Sequence, residues 1–175
     1  MNDNEVEALK LQGWPLPDEF LVEIGRVSSL WSSLEDLLNL CIGRLAGYND
    51  LNDPTPFILF NHASLPQRLD ILATLCEQLA PFTPHLADYK ATVKALQTAQ
   101  RDRNKFAHNS PVLDEKTGHV FLATGTARGS LKTNVEKISV ADIRRAAISV
   151  DNAFRSLYKL IFERDIPPAE ERYKA

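Results

Sequence analysis

The chain has 175 residues, 44% hydrophobic and 25% charged, with 7 Gly, 10 Pro and 2 Cys and a formal net charge of -3. This composition excludes collagen-like, low-complexity and disordered classes, and two cysteines are too few for a disulfide framework. No run of 18 apolar residues occurs, so no membrane span is expected. The acidic start Met1-Asn2-Asp3-Asn4-Glu5 lacks an apolar stretch, which predicts no secretory signal and a cytoplasmic protein with reduced thiols.

The net acidity argues against a general duplex-DNA binder, which needs a broad basic face. Charge is nevertheless segregated. Residues 1–50 carry nine acids against Lys10, Arg26 and Arg44, a net of -6. Residues 90–108 carry Lys90, Lys94, Arg101, Arg103 and Lys105 against Asp102, a net of +4. Either the two segments attract one another within the fold, or the basic one meets a phosphate.

Residues 1–17 read as a peripheral arm, because Gly13 and Pro15 interrupt any helix begun at Asn4–Leu11. From Asp18, a possible cap, Phe20, Ile24, Val27, Trp31, Leu34, Leu38, Cys41 and Leu45 recur at alternating spacings of four and three, a helical seam. Gly47 and Asn49 end it, and 48–63 is a connection holding the apolar piece Phe57-Ile58-Leu59-Phe60. Ser64 opens a second helix with Pro66 in its first turn and a seam of Leu65, Leu69, Leu72, Cys76 and Leu79. Pro81 and Pro84 stop it. A third helix is expected from about Pro84 to His108, on Leu86, Tyr89, Val93 and Leu96. Its seam then turns polar, at Gln100 and Arg103, before Ala107.

Between 111 and 138, Asp114-Glu115-Lys116-Thr117-Gly118 signals a turn, and His119–Thr124 and Ser130–Ile138 read as strands punctuated by Gly125 and Gly129. The segment is expected to be a small β-hairpin or meander, chiefly a surface decoration. Ser139 and Asp142 form a capping-box pattern. The last helix follows on Val140, Ile143, Ala147, Val150, Phe154, Leu157 and Ile161, and 166–175 is a charged tail after the proline pair. Four helices with one narrow apolar seam each predict a mainly α fold over 18–165: an antiparallel four-helix bundle with the β insertion at about 111–138. Both cysteines fall on seams as small core residues.

Arg103 breaks this pattern, because it stands where the seam asks for an apolar side chain. An unpaired buried charge is costly, so it must be paired, snorkel or face a cavity. Glu35 is the leading structural partner, with Asp36 and Asp70 behind it. A plainer account is that the helix end leaves the core. The same terminus presents Arg101, Asn104, Lys105 and His108. On an ideal helix Arg101 and His108 differ by about 20° around the axis and Arg103 and His108 by about 140°, so the latter pair converges only if the last turn unwinds or a second subunit helps.

The run Arg103-Asn104-Lys105-Phe106-Ala107-His108 resembles the R-x(4–6)-H motif of HEPN domains, in which a polar residue often follows the arginine. The helical frame over 18–162, with the motif near the end of the third helix, is similar too. Arg101 also satisfies the spacing; Arg103 is favoured because Asn104 follows it. The resemblance implies metal-independent cleavage of single-stranded RNA by a homodimer, with no cofactor. Such enzymes occur in toxin–antitoxin and phage-defence systems, so an antitoxin protein is a possible partner.

The side chains suit that chemistry. RNA supplies its own nucleophile, the 2′-hydroxyl. His108 can move the proton, Arg103 can stabilise the phosphorane, and Asn104 can orient the imidazole. Arg101 and Lys105 are candidate substrate-binding residues. Ser110 stands two residues after the histidine, where some HEPN toxins carry a tyrosine that a partner nucleotidyltransferase modifies, so that control is not implied.

No metal site is expected, since His62, His85 and His119 have no ligand spacing with Cys41 or Cys76. Residues 125–129 match no phosphate-loop pattern. Two readings compete with the nuclease. In one, the bundle is a non-catalytic dimerisation or adaptor module stapled by Arg103 and Glu35. In the other, the acidic first helix masks a basic toxin.

Overall fold

The structure, a computed structural model, describes residues 16–50, 53–127 and 131–172. Most of the expected arm, together with Arg128, Gly129 and Ser130, lies outside these residues. Among them the protein is mainly helical, with one small antiparallel sheet. In chain order it comprises α1 (Asp18–Leu45), α2 (Thr55–Phe60), α3 (Leu65–Leu79), a 3-10 turn (Pro84–Asp88), α4 (Tyr89–Ala107), β1 (Pro111–Asp114), β2 (His119–Ala127), β3 (Leu131–Ile138), α5 (Val140–Phe162) and α6 (Ala169–Arg172). Six α-helices are therefore described where four are expected. The extra two are short: α2 forms from the apolar piece in the first connection, and α6 from the tail.

Local signals set most boundaries. Ser64 and Gln67 make a reciprocal capping box at the start of α3, and Ser139 and Asp142 make one at the start of α5. Asp18 does not cap α1; Pro17 holds that place, in extended conformation, and Asp18 and Glu19 sit in the first turn, where the helix dipole favours anions. The expected third helix begins as a 3-10 turn that runs on into α4.

The four long helices enclose a core of Trp31, Leu34, Leu38, Cys41 and Ile42 from α1, Leu65, Leu69, Leu72 and Cys76 from α3, Leu96 and Ala99 from α4, and Val150, Ala153 and Leu157 from α5. The α2 helix packs on α1 at Gly43, where an added Cβ would lie 2.5 Å from the Pro56 Cγ.

The sheet has the order β1-β2-β3, with both pairs antiparallel. Register runs Leu113↔Val120 in the first pair and Val120↔Ile138 in the second. Asp114 organises the first turn: its carboxylate accepts from the Lys116 N–H at 3.0 Å and the Thr117 hydroxyl at 2.6 Å. Gly118 completes that turn at φ 67°, a backbone glycine adopts freely. The inward face of the sheet buries Val120, Leu122 and Ile138 against Phe20, Val27, Phe106, Ile143 and Ala146. The segment 111–138 is thus no surface decoration. It builds a second core at the end of the molecule where α4 terminates, because alternate residues of β2 are apolar on one face.

The tail is tied back. Arg172 pairs with Asp151 at 2.6 Å, the Ala169 N–H donates to Asp151 at 3.2 Å, and Arg155 Nε donates to the Ile166 carbonyl at 3.1 Å.

Candidate active site at the end of α4

The buried residues of α4 are Tyr89, Thr92, Leu96, Ala99 and Phe106. Arg103 falls between Ala99 and Phe106 at the spacing the stripe requires, so it occupies an inward position and is half-buried. Its guanidinium carbon lies 5.4 Å from the centre of the Trp31 ring, which offers a cation a π-face in a water-poor setting. Nη1 donates to Asn104 Oδ1 at 3.1 Å and lies 3.1 Å from His108 Nε2. Nε is buried with no hydrogen-bond partner among the described residues.

The approach of His108 to Arg103 requires the helix to end where it does. α4 stops at Ala107, and His108 takes φ -114° and ψ 0° while its N–H still bonds the Asn104 carbonyl at 3.3 Å. Asn109 Nδ2 donates to the Lys105 carbonyl at 2.9 Å, satisfying one terminal acceptor, and Pro111 biases Ser110 away from helix. The imidazole therefore leaves the ideal helical position, about 140° from Arg103, and turns back to it. Arg103, Asn104 and His108 form one hydrogen-bonded cluster, with the imidazole at the surface.

The other sequence candidates separate from it. Arg101 is exposed, and its Nη2 donates to Thr98 Oγ1 at 3.1 Å. Lys105 points to the sheet, where Nζ bonds Glu136 Oε2 at 3.0 Å and links α4 to β3. Glu35 does not pair with Arg103. It accepts from Arg68 Nη2 at 2.5 Å, and Arg68 Nη1 donates to Asn39 Oδ1 at 3.2 Å. The Arg103–Glu35 staple is therefore absent. The physical reason is that Glu35, one turn beyond Trp31, meets α3 rather than α4.

Arg68 and Trp31 are the residues sequence reasoning passed over. Arg68 is buried, and the spacing Leu65–Arg68–Leu72 places it on an inward stripe of α3. Trp31 is a core residue as read, but it is also the shelf for Arg103. A buried carboxylate, Glu23, accepts from Arg26 at 2.7 Å and from Arg144 at 2.8 Å, joining α1 to α5.

Both cysteines are buried thiols. Burial pushes Cys76 up to about 11, and drives Cys41 further above the ordinary thiol range, with Cys76 close by adding to it. Neither is a nucleophile in this setting. Among the described residues no group of three or more His, Cys, Asp or Glu is placed to hold a metal ion, and no helix is long and apolar enough to cross a membrane. Comparison of the chain with protein-family models, curated proteins and solved structures returned no match.

Proposed function

We propose that this protein is a metal-independent endoribonuclease of the HEPN type, an antiparallel four-helix bundle acting as a homodimer on single-stranded RNA in a toxin or phage-defence role. The observation that carries the reading is the contact of Arg103 Nη1 with both Asn104 and His108 at 3.1 Å. It unites a phosphate-binding cation and a proton carrier at the position where the HEPN motif has them.

In this reading the 2′-hydroxyl oxygen attacks phosphorus and the bond to the 5′-oxygen breaks. The products are a 2′,3′-cyclic phosphate and a free 5′-hydroxyl. One proton leaves the 2′-oxygen and one reaches the 5′-oxygen; His108 carries one of these transfers. A phosphate that draws the Arg103 guanidinium to itself releases His108 Nε2 for that work, and the guanidinium then neutralises the charge developing on the phosphorane.

The adaptor reading is weakened by a specific observation, since the Arg103–Glu35 staple it relies on is replaced by Arg68–Glu35.

The test is incubation of the purified protein with single-stranded RNA in chelator, beside His108→Ala. Cleavage to cyclic-phosphate ends that falls about 10²–10⁴-fold in the variant supports the reading. Equal cleavage by both proteins, or none by the wild type at high enzyme concentration, overturns it.

A further inference from the structure

Lys90, Lys94, Gln97, Arg101 and His108 are all exposed. On a helix Lys90, Lys94, Gln97 and Arg101 fall within about 60° of one another around the axis, and the row from 90 to 101 extends about 17 Å, ending about two turns before His108. A groove of about 610 Å³ runs along its first three turns, lined by Tyr89, Lys90, Val93, Lys94, Gln97 and Arg101 among others, with no carboxylate in its wall. Asp102, the single acid of α4, lies off the row, where with Lys105 it borders Asp142 and Arg145 of α5.

None of the three cations in the row is in an ion pair among the described residues. Lys90 lies 5.9 Å from the centre of the Tyr89 ring, and Arg101 bonds only Thr98. A solvated helix face ordinarily interleaves both signs of charge at three- and four-residue spacing. A row of unneutralised cations and amides, with no acid on it, instead presents donors at intervals to a flexible polyanion.

We infer that this face of α4 is a binding track for single-stranded RNA, on which Lys90, Lys94 and Arg101 hold successive phosphates and lead the strand to His108. The inference rests on the ribonuclease reading for what happens at the end of the track, but the track itself binds RNA whether or not it is cut. Gln97 and Gln100 add amides that donate or accept without sequence demand. The groove is open rather than closed, which suits a strand without fixed secondary structure.

The experiment measures fluorescence anisotropy of a labelled 12-nucleotide RNA carrying 2′-O-methyl groups throughout, which cannot be cleaved by its own 2′-oxygen, over a series of salt concentrations. Wild-type protein is expected to bind. Lys90→Gln/Lys94→Gln is expected to weaken binding at low salt by about fivefold or more, and to flatten the slope of log K against log salt by about 1.4, or 0.7 per phosphate contact. Lys137→Gln/Arg145→Gln, which removes equal charge elsewhere, is expected to leave both quantities unchanged. No binding by wild type, an unaltered slope in the first variant, or equal weakening by both variants overturns the track. Track-dependent binding by a protein that cleaves no RNA keeps the track and removes the nuclease reading.

Discussion

The 3.1 Å contact between Arg103 Nη1 and His108 Nε2 dictates which imidazole nitrogen carries the proton. A guanidinium has five donors and no acceptor, so Nε2 must present its lone pair and the hydrogen resides on Nδ1. Nitrogen–proton correlation NMR of the neutral imidazole should show the Nδ1–H tautomer in wild type. Arg103→Ala should remove that bias. An Nε2–H tautomer in wild type contradicts the contact.

Arg103 acts through shape as well as charge, since one planar group serves Asn104, His108 and the Trp31 face together. RNA cleavage should fall about 10²–10³-fold in Arg103→Ala. Arg103→Lys should recover only part of this, because an ammonium cannot make the planar contacts. Full activity in Arg103→Lys would show that a point charge suffices; full activity in Arg103→Ala would shift the role to Arg101.

The Glu35–Arg68 pair is predicted to matter for stability and not for chemistry. Glu35→Ala leaves a nearly buried guanidinium with Asn39 alone, and should cost about 1–3 kcal/mol, less than a sealed pair because Glu35 is itself partly exposed. Chemical denaturation checks the loss. Cleavage per folded molecule should hold.

Stability should also fall in acid through the α5 cap. The Ser139 hydroxyl and N–H hold the Asp142 carboxyl below the usual carboxylate range, and Arg145 adds to this. A carboxyl with a lower value folded than unfolded stabilises the native state above its unfolded value. That contribution disappears as pH falls through the folded value. Ser139→Ala should cost about 1 kcal/mol at neutral pH and flatten the acid side of the stability profile, as followed by urea unfolding between neutral and acidic buffers. An unchanged acid limb would show that the cap contributes nothing.

Cys76, held at about 11, and Cys41 above it should resist alkylation in the native state at neutral pH. Mass spectrometry of maleimide-treated protein should find no adduct on the folding timescale, and two adducts per chain in denaturant. Rapid native labelling would mean that the α1–α3 core opens locally.

The helices were legible because their signals are local. Alternating spacings of three and four located α1, α3 and α5, and Ser64 and Ser139 marked two starts by side chains that meet backbone donors within one turn. The Asp114–Gly118 turn was legible for the same reason. The two short helices carry too few residues for periodicity to show. The structural role of 111–138 was missed because β2 buries its residues against Phe106 and Ile143, one before it and one after, and nothing in the strand names those partners.

At the candidate site, sequence alone established that an arginine continues the apolar seam of α4, with an asparagine beside it and a histidine at the helix end. The residues that meet it were decided only in three dimensions. Whether Arg103 faces Trp31 or Glu35 depends on the rotation and axial offset of two packed helices. Those are set by the summed fit of many side chains, and a shift of one turn exchanges one partner for another. His108 reaches Arg103 because the backbone leaves helical geometry at that residue, a departure that hydrogen bonds and the following proline allow but that a repeating pattern does not reveal.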